Sequence, residues 1–217
     1  MDNEGKMARI MNIVKNYIQP NIFSRPQYKL VEVRAAIAHW VGLKNQTEQA
    51  VLKYFGETLR IQDPTDKKED IYASAHYTID DFDNDGIDIL QMIPEDEVSY
   101  SVGAAYPWEY TELAHKLFGD EGCSNNRKYY GHSPNFYTLN VELNHDADGR
   151  YSDRVYRNAV YLFSDMCERY KKRPTEFVYR HYDITRKPCP KWWVEHQEDW
   201  RGFLHDIETT LNIKRHV

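Results

Sequence analysis

Residues 137–144, YTLNVELN, alternate without a break, and this confines the chain to folds built around a sheet. Tyr137, Leu139, Val141 and Leu143 share one face of such a strand; Thr138, Asn140, Glu142 and Asn144 share the other. The first face belongs in a core. The second is wholly polar, and alternation alone leaves it two uses, a side wetted by solvent or the floor of a cleft.

Other segments extend the pattern. Val31, Val33, Ala35 and Ile37 alternate in the same way and His39 continues their row, so a second strand ends on a histidine. Strands are also expected at 72–79 and 87–93, with a short one at Glu176–Tyr179 leading into His181. Helical periods lie between them. Ala50, Val51, Tyr54 and Phe55 fall on one helical face; Val155, Ala159, Leu162, Phe163, Met166 and Tyr170 form the clearest stripe, behind a Ser or Asp cap. A last helix carries Trp200, Phe203, Leu204, Ile207 and Leu211. Ile10, Ile13, Val14 and Tyr17 have the spacing of a short amphipathic helix, and 104–133, with Trp108, Tyr110, Tyr129 and Tyr130, reads as an elaborated loop walling a groove. Strands alternating with helices predict an α/β domain, a central mixed sheet flanked by helices. With 217 residues, 41% of them hydrophobic, the chain can fill one such core but not two. The expected division is an N-terminal helix and extension over 1–30 and a catalytic domain over 31–217.

A formal charge of −6 and a pI near 5.8 leave no basic stripe for nucleic acid. The first twenty residues lack a basic segment followed by an apolar run, so neither a signal peptide nor a membrane span is expected there, and synthesis in the cytoplasm is. Cys123, Cys167 and Cys189 are odd in number and show no disulfide framework. Cys167 falls on or beside the stripe of the clearest helix and is assigned to packing.

Cys189 is different because of its neighbours. RHYDITRKPCPK, 180–191, sets His181 and Cys189 on one short loop with Lys187 between them. They are too distant for one helical turn and near enough for a folded loop to aim both at one ion. Zinc takes imidazole nitrogen and thiolate sulfur, and a catalytic site needs a third protein ligand. His39 at its strand end is the best placed candidate. Spacing alone does not decide this, since a histidine on an apolar face is more often a hydrogen-bonded core residue.

Five segments in order carry a family likeness: IAHWVG (37–42), ASAHYTID (73–80), DGIDILQMIPEDEVSYSVG (85–103), YTLNVEL (137–143) and RHYDITRKPCPK. Through them the chain resembles the type 2 N-acetylmuramoyl-L-alanine amidases, the zinc enzymes of phage endolysins and bacterial autolysins that are related to the peptidoglycan recognition proteins. The resemblance implies that fold. It implies Zn²⁺ held by His39, His181 and Cys189, and hydrolysis of the amide between N-acetylmuramic acid and the L-alanine of the stem peptide. Members reading IGIE at 139–142 make Glu142 the catalytic carboxylate, and relatives that keep the lysine before the cysteine give Lys187 the oxyanion. Some phage members use a tyrosine just before the histidine of the AHY-like motif; this chain has Ala75 there. Ser101 stands where many relatives carry a histidine. Trp40, Asn140 and Asn144 are the expected substrate contacts, and Asp183 is expected to orient a ligand imidazole. His76, on the face opposite Ala75, is expected to be structural. The expected partner is peptidoglycan, reached after release from the cell, with neither nucleic acid nor membrane. A non-catalytic peptidoglycan-binding module of the same fold is the alternative.

Overall fold

Two parallel strands, β2 (Ala35–Trp40) and β5 (Thr138–Leu143), form the centre of the sheet. Their register pairs Ala35 with Thr138 and runs on to set His39 beside Glu142. The structure is a computed structural model that describes residues 11–66, 69–82, 86–105, 107–126 and 128–216. Four further strands complete the sheet: β1 (Ile13–Lys15), β3 (Tyr77–Ile79), β4 (Ile89–Gln91) and β6 (Val178–Arg180), in the order β1-β4-β3-β5-β2-β6. The β3–β4 pair is antiparallel and the rest are parallel, so the sheet is mixed as expected.

The alternation of β5 is realised in space. Leu139, Val141 and Leu143 pack with Ala36 and Ala38 of β2 into the main core, against α3 (Asp153–Arg169) and α7 (Gln197–His216). Those helices supply Ala159, Leu162, Phe163, Met166 and Cys167, and Trp200, Phe203, Ile207 and Leu211. Ser152 starts α3 by accepting the Val155 amide on its side-chain oxygen, a cap worth ~1 kcal/mol. The opposite face of the sheet carries α1 (Glu48–Lys53), which continues through a wide turn at Tyr54–Thr58, and α2 (Glu112–Gly122). Short helices α4 (Pro174–Phe177), α5 (His181–Thr185) and α6 (Lys191–Glu195) bracket β6 and the loop after it. Among the described residues no helix is long and apolar enough to cross a membrane.

Besides a shift in the strand before His181, whose first two expected residues, Glu176 and Phe177, belong to α4, two expectations change. Residues 13–15 are strand, not helix: Ile13 and Val14 pair with Ile89 and Leu90 at the sheet edge, where β-branched side chains fit a pleated surface and the edge supplies hydrogen-bond partners. Ile10, the first residue of the expected helix, lies outside the described residues. Ile18 and Phe23 then enter a core cluster with Val51, Phe55 and Met92, so residues before 31 are part of the packed sheet. The second change is α2, inside the segment read as loop. Its Ala114 and Phe118, one helical turn apart, pack on Ala35 and Ile37. Tyrosines and glycines on both sides mask that turn in the sequence.

Candidate metal centre

β2 delivers His39 at its exposed end but on a buried face, 2% accessible. β6 ends at Arg180, and the next residue, His181, opens α5. Arg180 fixes this junction. Its guanidinium donates to Asp183 at 2.6 Å, to the Trp193 carbonyl at 2.8 Å and to Gln197 Oε1 at 2.9 Å, which ties α5 to α6 and α7. Asp183 Oδ2 also accepts the Arg180 backbone amide at 2.9 Å, capping the helix that His181 begins. Beyond α5 the chain turns at Arg186, and the Tyr182 amide donates to the Cys189 carbonyl at 2.9 Å. That bond folds the loop back and brings Cys189 to His181.

Three candidate ligands therefore converge. One donor atom each from His39, His181 and Cys189 lie within 4.8 Å of one another, and all three residues are buried. Cys189 Sγ is 3.9 Å from His39 Nδ1, and the two imidazoles meet edge to face at 4.9 Å between centroids. His181 Nε2 has no hydrogen-bond partner although it is enclosed. A buried imidazole nitrogen left without a partner is costly, and a metal ion is one way to satisfy it. Two imidazoles and one thiol match the nitrogen and sulfur preference of zinc. Its bond lengths would set the donor atoms ~3.5 Å apart, so small side-chain adjustments suffice. The residues fit the ion.

Electrostatics agree with a desolvated site. Burial pushes the pKa of His39 down to about 4 and that of His181 well below the ordinary range, the latter helped by His39 and Lys187. Both imidazoles are thus neutral and able to ligate at neutral pH. Burial, and then the Glu142 charge, push the Cys189 thiol up to about 12, so it must lose its proton as metal binds. Glu142 lies beside His39, and burial raises its carboxyl to about 8, opposed by Lys187. One of its oxygens, Oε2, is enclosed without a partner. Tyr151 turns an enclosed, unpartnered hydroxyl toward the same region; burial, Cys189 and Glu142 together oppose its ionisation, and its ring packs on Trp193. Nothing in the local sequence marks Tyr151, because its position depends on the loop between β5 and α3.

The centre opens into a groove of about 1530 Å³ whose lining includes His39, Glu142, His181, Lys187 and Cys189. Trp40 stands in its wall and stacks on His145 at 4.5 Å. Tyr129, Asn126 and His132 contribute from the segment expected to wall the groove; Trp108 and Tyr130 are not among the lining residues. Ser101 is in the lining, and Ala75 is sealed in the core. Position 75 contributes no side chain to the groove, and among the described lining residues Glu142 is the carboxylate.

Three expected roles are corrected. Asn140 is fully buried and accepts from the His39 ring at 2.9 Å; it does not face the groove. Asn144, 2% accessible, spends its amide on Thr78 Oγ1 and the Ile79 carbonyl. The polar face of β5 is covered by neighbouring chain and satisfied internally, so it offers substrate only Glu142. Asp183 touches no ligand imidazole; it braces the turn that presents His181. His76 is buried and hydrogen-bonded, as expected of a structural residue, while the His216 side chain lies outside the described residues.

The family model described as N-acetylmuramoyl-L-alanine amidase matches residues 29–192. A probable N-acetylmuramoyl-L-alanine amidase of Bacillus licheniformis is 29% identical over 208 residues, which are 94% of this chain and 49% of that protein. The chain thus spans about half the length of the curated relatives it matches. Among solved structures, a mutant endolysin from Bacillus subtilis superposes with a TM-score of 0.60 at 18% identity, covering 91% of this chain and 99% of that one. The PlyG catalytic domain gives 0.63 at 16%, covering 93% and 96%. At such identities the likeness is one of fold.

Proposed function

The chain belongs to the N-acetylmuramoyl-L-alanine amidase family, and on that footing we propose that it hydrolyses the amide joining N-acetylmuramic acid to the L-alanine of the peptidoglycan stem peptide, with zinc as cofactor. The observation that carries this reading is the convergence of His39, His181 and Cys189 beside Glu142 on the floor of one groove. His39, His181 and Cys189 would hold the ion. When bound, zinc would supply a Lewis acid that polarises the scissile carbonyl and makes water more acidic.

Glu142 moves the proton. Its carboxylate accepts one from the attacking water and returns it to the leaving nitrogen, so that a C–O bond forms, the C–N bond breaks, and a lactyl carboxylate and the free amine of L-alanine result. In the metal-free protein burial raises this carboxyl to about 8, and the charge of a bound cation would lower it toward the ionised form that a general base requires. Lys187 is exposed on the groove rim, where its ammonium can meet the carbonyl oxygen as that oxygen gains charge. Trp40 and Tyr129 present aromatic surface to a sugar or peptide. The protein acts on the wall after release from the cell.

Digestion of purified cell wall tests this reading. Mass spectrometry of the products should reveal new L-alanine amino termini, and chelation of metal should abolish their appearance. Amines from within the stem peptide would indicate a different peptidase. Wall binding without any new amine would favour the non-catalytic module.

A further inference from the structure

His39 is held from behind by a chain of hydrogen bonds in which backbone amides and carbonyls fix the orientation of the Asn140 amide and the tautomer of His76. Asn140 lies 2.9 Å from His39 Nε2 through its Oδ1. Its Nδ2 faces the Thr138 carbonyl at 3.3 Å, Thr138 Oγ1 at 3.1 Å and Ser99 Oγ at 3.0 Å. A carbonyl only accepts, so the amide nitrogen must point to Thr138; flipping the amide would set two acceptors against each other. Thr138 Oγ1 donates to the Pro134 carbonyl, which leaves its lone pair for Asn140.

The far end is fixed as well. The Asn140 backbone amide donates to His76 Nδ1 at 3.1 Å, and His76 Nε2 lies 2.8 Å from the Glu97 carbonyl. An amide can only donate and a carbonyl only accept, so His76 carries its proton on Nε2. Its Nδ1 lone pair faces the Asn140 amide, and the Ser99 hydroxyl has either that nitrogen at 3.1 Å or Ser101 Oγ at 3.3 Å as its acceptor; with its proton directed to one of these, Ser99 Oγ has a lone pair for Asn140 Nδ2. Every member of the chain is buried: His76, Ser99, Thr138 and Asn140 are all at 0% accessibility. Bulk solvent does not reach these side chains.

We propose that Asn140 is the positioning residue of the metal centre, its carbonyl oxygen holding His39 in the Nε2-protonated form so that Nδ1 is the nitrogen offered to the ion. This rests on the metal reading above. Oδ1 is an acceptor, so the His39 nitrogen facing it must carry the ring's proton. Nδ1 is left with a free lone pair, and Nδ1 is the nitrogen directed at Cys189. A neutral imidazole free in water populates both tautomers and rotates. Asn140, itself locked by Thr138, Ser99 and His76, removes both freedoms before metal arrives, and partners of this kind typically contribute ~10–100-fold in metal affinity.

The test uses the full chain, labelled with ¹⁵N in its histidines and stripped of metal. Long-range ¹H–¹⁵N correlation, with His39 assigned by its loss in His39→Ala, should show the Nε2-protonated tautomer in the wild type. Competition with a chromophoric chelator should show zinc affinity lowered ~10–100-fold in Asn140→Leu, which has no acceptor, with the His39 tautomer no longer confined to the Nε2-protonated form in the same variant. Asn144→Leu, the loss of a buried amide just past the end of the same strand, should leave zinc affinity near wild type. An Nδ1-protonated His39 in the wild-type protein would overturn the assignment whether or not the variants fold, and so would unchanged zinc affinity in Asn140→Leu. Failure of the wild type to take up zinc while His39 shows the expected tautomer would trace the fault to the metal reading and end this one with it.

Discussion

Replacing Glu142 by glutamine should separate what the carboxylate does for the reaction from what it costs the fold. In the metal-free protein Glu142 Oε2 is enclosed without a partner, and burial lifts the carboxyl from 4.5 to about 8 against a smaller pull from Lys187. A folded-state pKa above the unfolded one means that the folded protein binds this proton more tightly. The contribution of Glu142 to stability is therefore most favourable below pH ~4.5 and is lost as pH rises through about 8. At ~1.4 kcal/mol per unit, the rise from 4.5 to 8 bounds the effect at about 5 kcal/mol. Because the residue is half-buried, not sealed, a penalty of about 1–3 kcal/mol is the working expectation. Glutamine keeps the shape and never ionises. Urea unfolding of both metal-free proteins, followed by tryptophan fluorescence, should find them nearly equal at pH 5 and the variant more stable by about 1–3 kcal/mol at pH 9. The zinc-loaded variant should bind wall fragments while turnover falls at least ~100-fold, the low end for a general base. Parallel pH profiles of stability would show that the carboxylate is not desolvated as argued. Near wild-type lysis of purified walls would show that another group carries the proton.

The other expectations follow from the same geometry. The wild type should hold about one zinc per chain, with metal content and activity both lower in His181→Ala and Cys189→Ser, since each removes one of three ligands; Cys123→Ser and Cys167→Ser should keep their zinc by elemental analysis, and loss in either would show that the wrong cysteine was chosen. Lys187→Ala should lower kcat far more than it raises KM, because a contact to the oxyanion strengthens only as charge develops; an unchanged kcat returns Lys187 to the solvent-facing surface. Asp183→Ala removes the cap of α5 and the partner of Arg180, and should cost ~1 kcal/mol of stability and weaken zinc binding roughly tenfold in chelator competition. Equal zinc affinity in that variant would mean that the turn presenting His181 does not depend on its brace.

How much of this was legible in the sequence depends on the range of the interaction involved. Within the strand, Thr138–Leu143, alternation reported correctly which side chains share a face, because the strand repeat is local; Tyr137, one residue before it, packs instead with Ala35, Ile37 and Phe118 on the other side. Alternation could not report what lies over the polar face. Ser99 covers Asn140, Thr78 and Ile79 take up Asn144, and the partners stand 41 and 66 residues away along the chain. A polar residue beneath such a cover looks, in sequence, the same as one facing a groove, and so Asn140 was read as a substrate contact. Asp183 failed for the opposite reason: its partner Arg180 is only three residues away, and the short-range cap removed it from the ligand it was expected to orient. The candidate ligand set was legible through the ordered family segments, and the structure brings its members together: His39 at a strand end, His181 at the start of α5 and Cys189 on the loop after it. What sequence could not supply was the reason these three stay in place. That lies in bonds whose members look unremarkable alone: a serine, a threonine and a second histidine, brought behind His39 only when β3 and β5 pair. The proposed chemistry of the centre is thus written in its candidate ligands, and the bonds that hold them in residues that no local pattern distinguishes from ordinary core.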